Sequence, residues 1–239
     1  DNEDVIINNE FYDIKICQNT GRICSITNRV SKVSVQVDQN FMAYNSFSNS
    51  RQGQVSGAYI FRPAQQYPTA ITESKPITIV ERGLEFDQVI QNFTSYASQV
   101  IRLYHKDPTF IEIEHLVGPI PINKEFITRF TTSINTDREL YTEQNALELI
   151  KKPYLTNTEE PVASNYNAMQ YAAFIKDQSA QFTVMSDRSI GVASLAKGTI
   201  EMMLHRRCGQ DDGRGLSEAL NDTSIIRPKF RITLDAPKV

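Results

Sequence analysis

Tyr12-Asp13-Ile14-Lys15-Ile16 sets the pattern from which the fold is read: apolar side chains at every second position, charged ones between. Val33-Ser34-Val35-Gln36-Val37 repeats it, and Ile111-Glu112-Ile113-Glu114-His115 repeats it again. A period of two puts alternate side chains on opposite faces of a strand, so each run reads as a half-buried β-strand. Similar short runs at residues 77–80, 100–104, 126–130, 182–185, 200–204 and 230–234 are separated in many places by Gly, Pro or Asn. Many short strands at this spacing predict an all-β chain built as a large antiparallel β-sandwich. Residues 139–152, with Leu140, Leu147 and Ile150 as the apolar positions, are the one segment whose spacing also suits a helix. No internal repeat or low-complexity tract interrupts the chain. Pro119-Ile120-Pro121 and residues 153–161 read as connections.

The 239 residues are 40% hydrophobic, enough to bury a substantial core. A net charge of −3 offers no basic field, which argues against a nucleic-acid partner. No apolar run reaches the roughly 18 residues that suggest a membrane span. A start at Asp1, with no leader in view, reads as a piece of a longer protein.

Cys17 and Cys24 flank Asn19-Thr20-Gly21-Arg22. With Thr20 and Gly21 at the centre of a hairpin turn, the two cysteines face each other, either as a disulfide or as two buried thiols. Cys208 has no obvious partner. Asn92-Phe93-Thr94 and Asn221-Asp222-Thr223 both satisfy the N-glycosylation pattern and permit a secretory route.

Chemistry concentrates in His205-Arg206-Arg207-Cys208-Gly209-Gln210-Asp211-Asp212-Gly213-Arg214-Gly215-Leu216, where arginines, carboxylates and glycines are interleaved. The glycines permit a tight bend, and the Arg214 fork of donors suits hydroxyl or carboxylate oxygens. The plainer reading is a surface turn stiffened by its own ion pairs.

This stretch resembles the C-terminal half of glycoside hydrolase family 38 α-mannosidases of the lysosomal type. Met185-Ser186-Asp187-Arg188-Ser189, Gly198-Thr199-Ile200-Glu201-Met202-Met203, Ser56-Gly57-Ala58-Tyr59-Ile60-Phe61-Arg62-Pro63 and Tyr141-Thr142-Glu143-Gln144-Asn145 add to the likeness, in order and spacing, over nearly the whole chain. The resemblance implies a galactose mutarotase-like supersandwich over residues 1–239, packed in the family against an N-terminal α/β catalytic domain. It implies extended structure for residues 139–152. It also implies a retaining, zinc-dependent enzyme that hydrolyses terminal α-mannosyl residues of N-glycan oligosaccharides in a lysosome, vacuole or other secretory lumen.

A retaining glycosidase needs two carboxylates about 5–5.5 Å apart. Asp211 and Asp212 are the only tempting pair, and adjacent residues in an extended loop point apart. The family's His-x-Asp zinc pattern is missing around His105, His115 and His205. The resemblance therefore leaves nucleophile and zinc to the α/β domain and assigns this chain no catalytic residue, metal or cofactor. Tyr59 and Arg214 match the family's positions that reach from the sandwich to the mannose. His205, Asp211, Asp212 and Gly213 are expected to support that loop. Two departures stand out: Gln144-Asn145-Ala146 lacks the Gly that often follows Asn, and Asn165-Tyr166-Asn167-Ala168 lacks the aromatic-Pro motif. The alternatives are a free-standing carbohydrate-binding or mutarotase-like module, made less attractive by the lack of tryptophan for sugar stacking, and a purely structural assembly domain.

Overall fold

A computed structural model describes residues 3–237. In chain order the strands begin with β1 (Val5–Asn8), β2 (Tyr12–Ile16), β3 (Ile23–Asn28), β4 (Ser34–Asn45), β5 (Thr69–Ala70) and β6 (Ile77–Arg82). They continue with β7 (Phe86–Thr94), β8 (Ala97–Tyr104), β9 (Ile111–Val117), β10 (Lys124–Thr132), β11 (Leu140–Gln144) and β12 (Glu148–Lys152). The last are β13 (Asn167–Met169), β14 (Ala172–Lys176), β15 (Gln181–Ser186), β16 (Ile190–Ala193), β17 (Thr199–Arg207) and β18 (Lys229–Asp235). Among the described residues these make two nine-stranded sheets. One runs β1-β2-β3-β4-β10-β17-β16-β13, with β5 beside β4; the other runs β12-β11-β14-β15-β18-β9-β8-β7-β6. The chain is all-β and antiparallel, as its alternating pattern predicts.

Residues 139–152 are extended: β11 and β12 pair antiparallel, Gln144 against Glu148. The turn between them places Asn145 at φ 49° and Ala146 at φ 57°. Two consecutive residues at positive φ make the type of tight hairpin that normally takes Asn-Gly. The turn thus keeps its shape with Ala where Gly is the comfortable choice.

The Cys17–Cys24 disulfide is formed, but the two residues are not directly opposed. The Cys17 amide donates to the Arg22 carbonyl, and a register shift at Lys15/Ile16 displaces the strands, so the bond runs diagonally across the ladder. The turn is wider than a two-residue hairpin because Gly21, at φ 67°, donates its amide back to the Cys17 carbonyl.

The inward-facing residues of both sheets form the core. Ile14, Ile26, Ile101, Ile113, Phe130, Phe182, Phe230 and Ile232 are completely buried in its main cluster, each side chain stabilising by about 1.5–3 kcal/mol relative to exposure. A second cluster gathers Phe41, Phe93, Val117, Ile120 and Phe126. A buried polar band also spans the sandwich. Gln39 donates to Thr128 Oγ1 at 3.0 Å, Gln99 to Gln39 Oε1 and, at 2.7 Å, to Gln91 Oε1, and Gln91 to the Gly21 carbonyl. His115, opposite Gln99 in the ladder, stands between the rings of Phe41 and Phe230 with neither ring nitrogen hydrogen-bonded.

Candidate functional site

The site grows from the ends of three neighbouring strands. Lys124, at the start of β10, pairs with Asn45 at the end of β4 and with Arg207 at the end of β17. The segments after β4 and after β17 therefore leave the sheet at the same end, although they are far apart in sequence.

Glu125 anchors the first of them. Fully buried, its carboxylate accepts hydrogen bonds from Ser46 Oγ at 3.0 Å, Ser56 Oγ at 2.6 Å and Arg206 Nε at 2.5 Å. Arg206 Nη2 reaches on to the Ile60 carbonyl at 2.7 Å, with its guanidinium over the Phe61 ring. A buried carboxylate is tolerated only when paired and hydrogen-bonded, and here both conditions hold. Burial works to lower the Arg206 pKa, but the Glu125 carboxylate outweighs it and the guanidinium is held above its ordinary value. Burial likewise pushes up the neighbouring Cys208 thiol, with Glu125 adding to the effect, so that it remains protonated.

Asp212 ties the two segments together. Its Oδ2 accepts the backbone amides of Tyr59 at 2.7 Å and Ile60 at 2.9 Å, and its Oδ1 accepts the amide of Arg214 at 3.1 Å. Burial opposes ionisation, yet these amides and the Arg214 charge together hold the carboxyl below the ordinary carboxylate value. Gly57 lets the segments meet: a Cβ there would lie 2.7 Å from Asp212 Cβ. Gln54 completes the seam, donating to the Asp212 carbonyl at 2.7 Å while its Oε1 accepts from Arg214 Nε at 3.0 Å and Nη2 at 2.6 Å. Gly213 and Gly215, at φ 72° and 116°, meet no close neighbour, so conformation rather than space favours glycine there.

Tyr59 is 61% exposed and is not a core tyrosine. Arg214 is exposed as well. A phenol and a guanidinium are thus displayed from two segments whose backbones share one carboxylate, an arrangement able to donate hydrogen bonds to a polyhydroxylated ligand. Asp211 is exposed and bonds the Gly213 amide at 3.1 Å, whereas Asp212 is buried and engaged by three amides. An ionised carboxylate so occupied is poorly suited to donate a proton. His205 meets other partners: its Nδ1 accepts the Arg206 amide at 2.9 Å, leaving Nε2–H to donate to the Ser224 carbonyl at 3.1 Å. It secures the chain leading to β18.

Among the described residues no group of three or more His, Cys, Asp or Glu is placed to hold a metal ion.

Gln54 and Glu125 escape the sequence reading. Glu125 carries a usable signal, because a charged residue just before the apolar run 126–130 is matched by Arg206 just after the run 200–204. Gln54, between Gly53 and Val55, carries none.

The glycosyl hydrolases family 38 C-terminal domain matches residues 7–214. The chain is 38% identical to the lysosomal alpha-mannosidase of Cavia porcellus over 246 residues, covering 97% of the chain and 24% of that protein. It is also 38% identical to the alpha-mannosidase of Canavalia ensiformis, over 88% of the chain and 22% of that protein. It therefore spans about a quarter of the length of these relatives. An alpha-mannosidase structure from Enterococcus faecalis V583 shares the fold with a TM-score of 0.73 at 15% identity, over 96% of this chain and 29% of that one. With its two-sheet sandwich, its Ser56–Arg62 and Asp211–Gly215 segments joined through Asp212, and a family match across most of its length, the chain belongs to the glycosyl hydrolases family 38 C-terminal domain.

Proposed function

We propose that this chain is the β-sandwich part of a retaining, zinc-dependent α-mannosidase that hydrolyses terminal α-mannosyl residues of N-glycan oligosaccharides. An N-terminal α/β domain supplies the nucleophile and the metal. Tyr59 and Arg214 form one wall of the mannose pocket and hold sugar hydroxyls without taking part in bond cleavage. One observation carries this reading: a single buried carboxylate, Asp212, fixes the backbones of both Tyr59 and Arg214. Such pre-positioning readies the two side chains for a ligand, and planar or phenolic donors suit vicinal hydroxyls. Gln54 orients the Arg214 fork, and Asp211 and Gly213 shape the turn that presents it.

The lysosomal names of several relatives and the Cys17–Cys24 disulfide support a lysosomal, vacuolar or secreted location. Among the described residues no helix is long and apolar enough to cross a membrane.

The test is kinetic and uses the enzyme carrying its α/β domain. Arg214→Lys keeps the charge but loses the fork, and Tyr59→Phe loses only the hydroxyl. Each is expected to lower kcat/KM for an α-mannoside by about tenfold or more, the loss of one or two hydrogen bonds in a desolvated site, with assembly unchanged. Unaltered kinetics in both variants would sink the pocket role. Hydrolysis by the isolated chain would sink the division of labour.

A further inference from the structure

Arg129 and Arg138 line one small cavity on the outer face of the first sheet. Arg129 stands between Thr128 and Phe130 on β10, and Phe130 lies in the main core, so the Arg129 guanidinium leaves the strand on the opposite side. It is four residues on from Glu125, about 13 Å along the strand. Glu201, fully buried and opposite Arg129 in the ladder, accepts from Arg129 Nε at 2.7 Å and from its Nη2. The hydroxyls of Tyr44, at 2.8 Å, and Tyr166, at 2.7 Å, take its other oxygen. Burial works against the Arg129 charge, but Glu201 outweighs it and holds the guanidinium above its ordinary pKa. Among the described residues Arg129 Nη1 makes no hydrogen bond. Arg138 has more to offer. Its guanidinium lies over the Tyr154 ring at 3.8 Å and, among the described residues, meets no carboxylate. The acids beside it in sequence, Asp137 and Glu139, pair with Lys197 at 3.9 Å and Lys151 at 2.5 Å, and Glu160, next to the cavity wall, pairs with Arg62 at 2.8 Å. Tyr67, Tyr154, Val162 and Leu195 add phenolic and apolar walls. The cavity, of about 90 Å³, therefore gathers guanidinium donors around a space that no carboxylate of the described residues lines.

We propose that Arg129 and Arg138 form a binding site for the carboxylate or phosphate group of a small anionic ligand. A guanidinium presents paired N–H donors that match two oxygens of such a group. The charges point the same way. Glu201 cancels Arg129, and its oxygens are fully engaged, so Arg138 is left as the surplus cation and one negative charge completes the site. Stacked on Tyr154, the Arg138 fork has little freedom left to lose when an anion arrives. Apolar walls at Val162 and Leu195 hold water back and strengthen the attraction. Tyr67 is 75% exposed, at the mouth, where the rest of the ligand emerges. The site stands on its own residues and does not rest on the mannose role of Tyr59 and Arg214.

The test uses the enzyme carrying its α/β domain. Calorimetric titrations with inorganic phosphate and with glucuronate, at constant ionic strength, tell the two anion classes apart. At least one of them is expected to bind. Arg138→Gln removes the fork and the charge and should weaken that binding about tenfold or more. Tyr154→Leu leaves the charge but frees the fork, and should weaken it about threefold. Arg214→Lys should leave it unchanged, which separates this site from the mannose wall. Arg129 is kept, because its loss would strand the buried Glu201. A crystal structure grown with the bound probe should place its oxygens between the two guanidiniums. No binding of either probe, equal affinity in wild type and Arg138→Gln, or an acidic side chain from the rest of the polypeptide seated between the arginines would each overturn the proposal.

Discussion

Asp212 accepts the backbone amide of Tyr59 at 2.7 Å across a sequence separation of 153. The bond is long-range in sequence and local in space, and it makes the position of one displayed side chain depend on the other's loop. Its removal is expected to affect both function and folding.

Asp212→Asn keeps the size of the side chain but replaces one acceptor with a donor facing backbone amides. We expect kcat/KM of the α/β-containing enzyme to fall by about tenfold through misplacement of Tyr59 and Arg214, and the thermal midpoint to fall as well, because backbone amides lose an acceptor. Gln54→Leu should give a smaller loss, expressed mainly in KM, because it frees the guanidinium and the Asp212 carbonyl but leaves the carboxylate clamp in place. The clamp also has an acid limit. The Asp212 carboxyl titrates below its ordinary value of 3.8, so the clamp's contribution is complete above that value and disappears as pH falls through the depressed one. Inactivation by acid that sets in well above pH 4 and is abolished by Asp212→Asn would contradict this.

Glu125→Gln should be severe for stability. It leaves Arg206 charged and largely buried without its carboxylate, and uncoupling such a pair costs about 3–5 kcal/mol. Urea unfolding at neutral pH measures it. A loss under about 1 kcal/mol would mean that Arg206 finds water or another partner easily.

Ala146→Gly should stabilise. A residue with a Cβ at φ 57° carries a left-handed penalty of about 1–2 kcal/mol, partly offset by the greater freedom of glycine in the unfolded chain. A net gain of about 0.5–1 kcal/mol is expected, read as a raised denaturant midpoint with unchanged slope. No gain would show that the β11–β12 turn relaxes in solution.

His115 gives the sandwich a pH dependence of its own. Burial lowers its pKa from 6.5 to about 3. Below 6.5 the unfolded chain takes up a proton that the fold refuses, so stability declines as pH falls and keeps declining until about 3. The loss reaches about 2 kcal/mol by pH 5. His115→Leu, close in volume and free of unpaired nitrogens, should flatten that slope. Denaturant midpoints measured between pH 7 and 4 decide it: equal slopes for both proteins would show that His115 is hydrated or paired.

Strands were legible in the sequence wherever one face meets the core, because the alternation at residues 12–16 and 33–37 is a record of burial; at 111–115 Glu112 is buried as well, paired with Arg102. Residues 139–152 were ambiguous because β11 and β12 lie at the edge of their sheet, where Leu147 and Leu149 remain exposed and alternation weakens. Tyr59 and Arg214, both exposed, are picked out by the family resemblance of the glycine-containing motifs around them. What holds them was mostly hidden: Gln54 acts through a contact 160 residues away, and no local pattern encodes such a partner. His205 sits beside the loop in sequence, but its ring bonds the Ser224 carbonyl, in the segment that leads to β18.

The glutamine band between the sheets has a mechanical consequence. Two greasy surfaces can slip past one another at little cost, but Gln39, Gln91 and Gln99 must meet partners at fixed offsets or leave amides stranded in the interior. The joint is indexed like a gear tooth, and a one-notch slide of either sheet is forbidden. Whatever docks on the rim of this sandwich meets loops from both layers in a constant alignment.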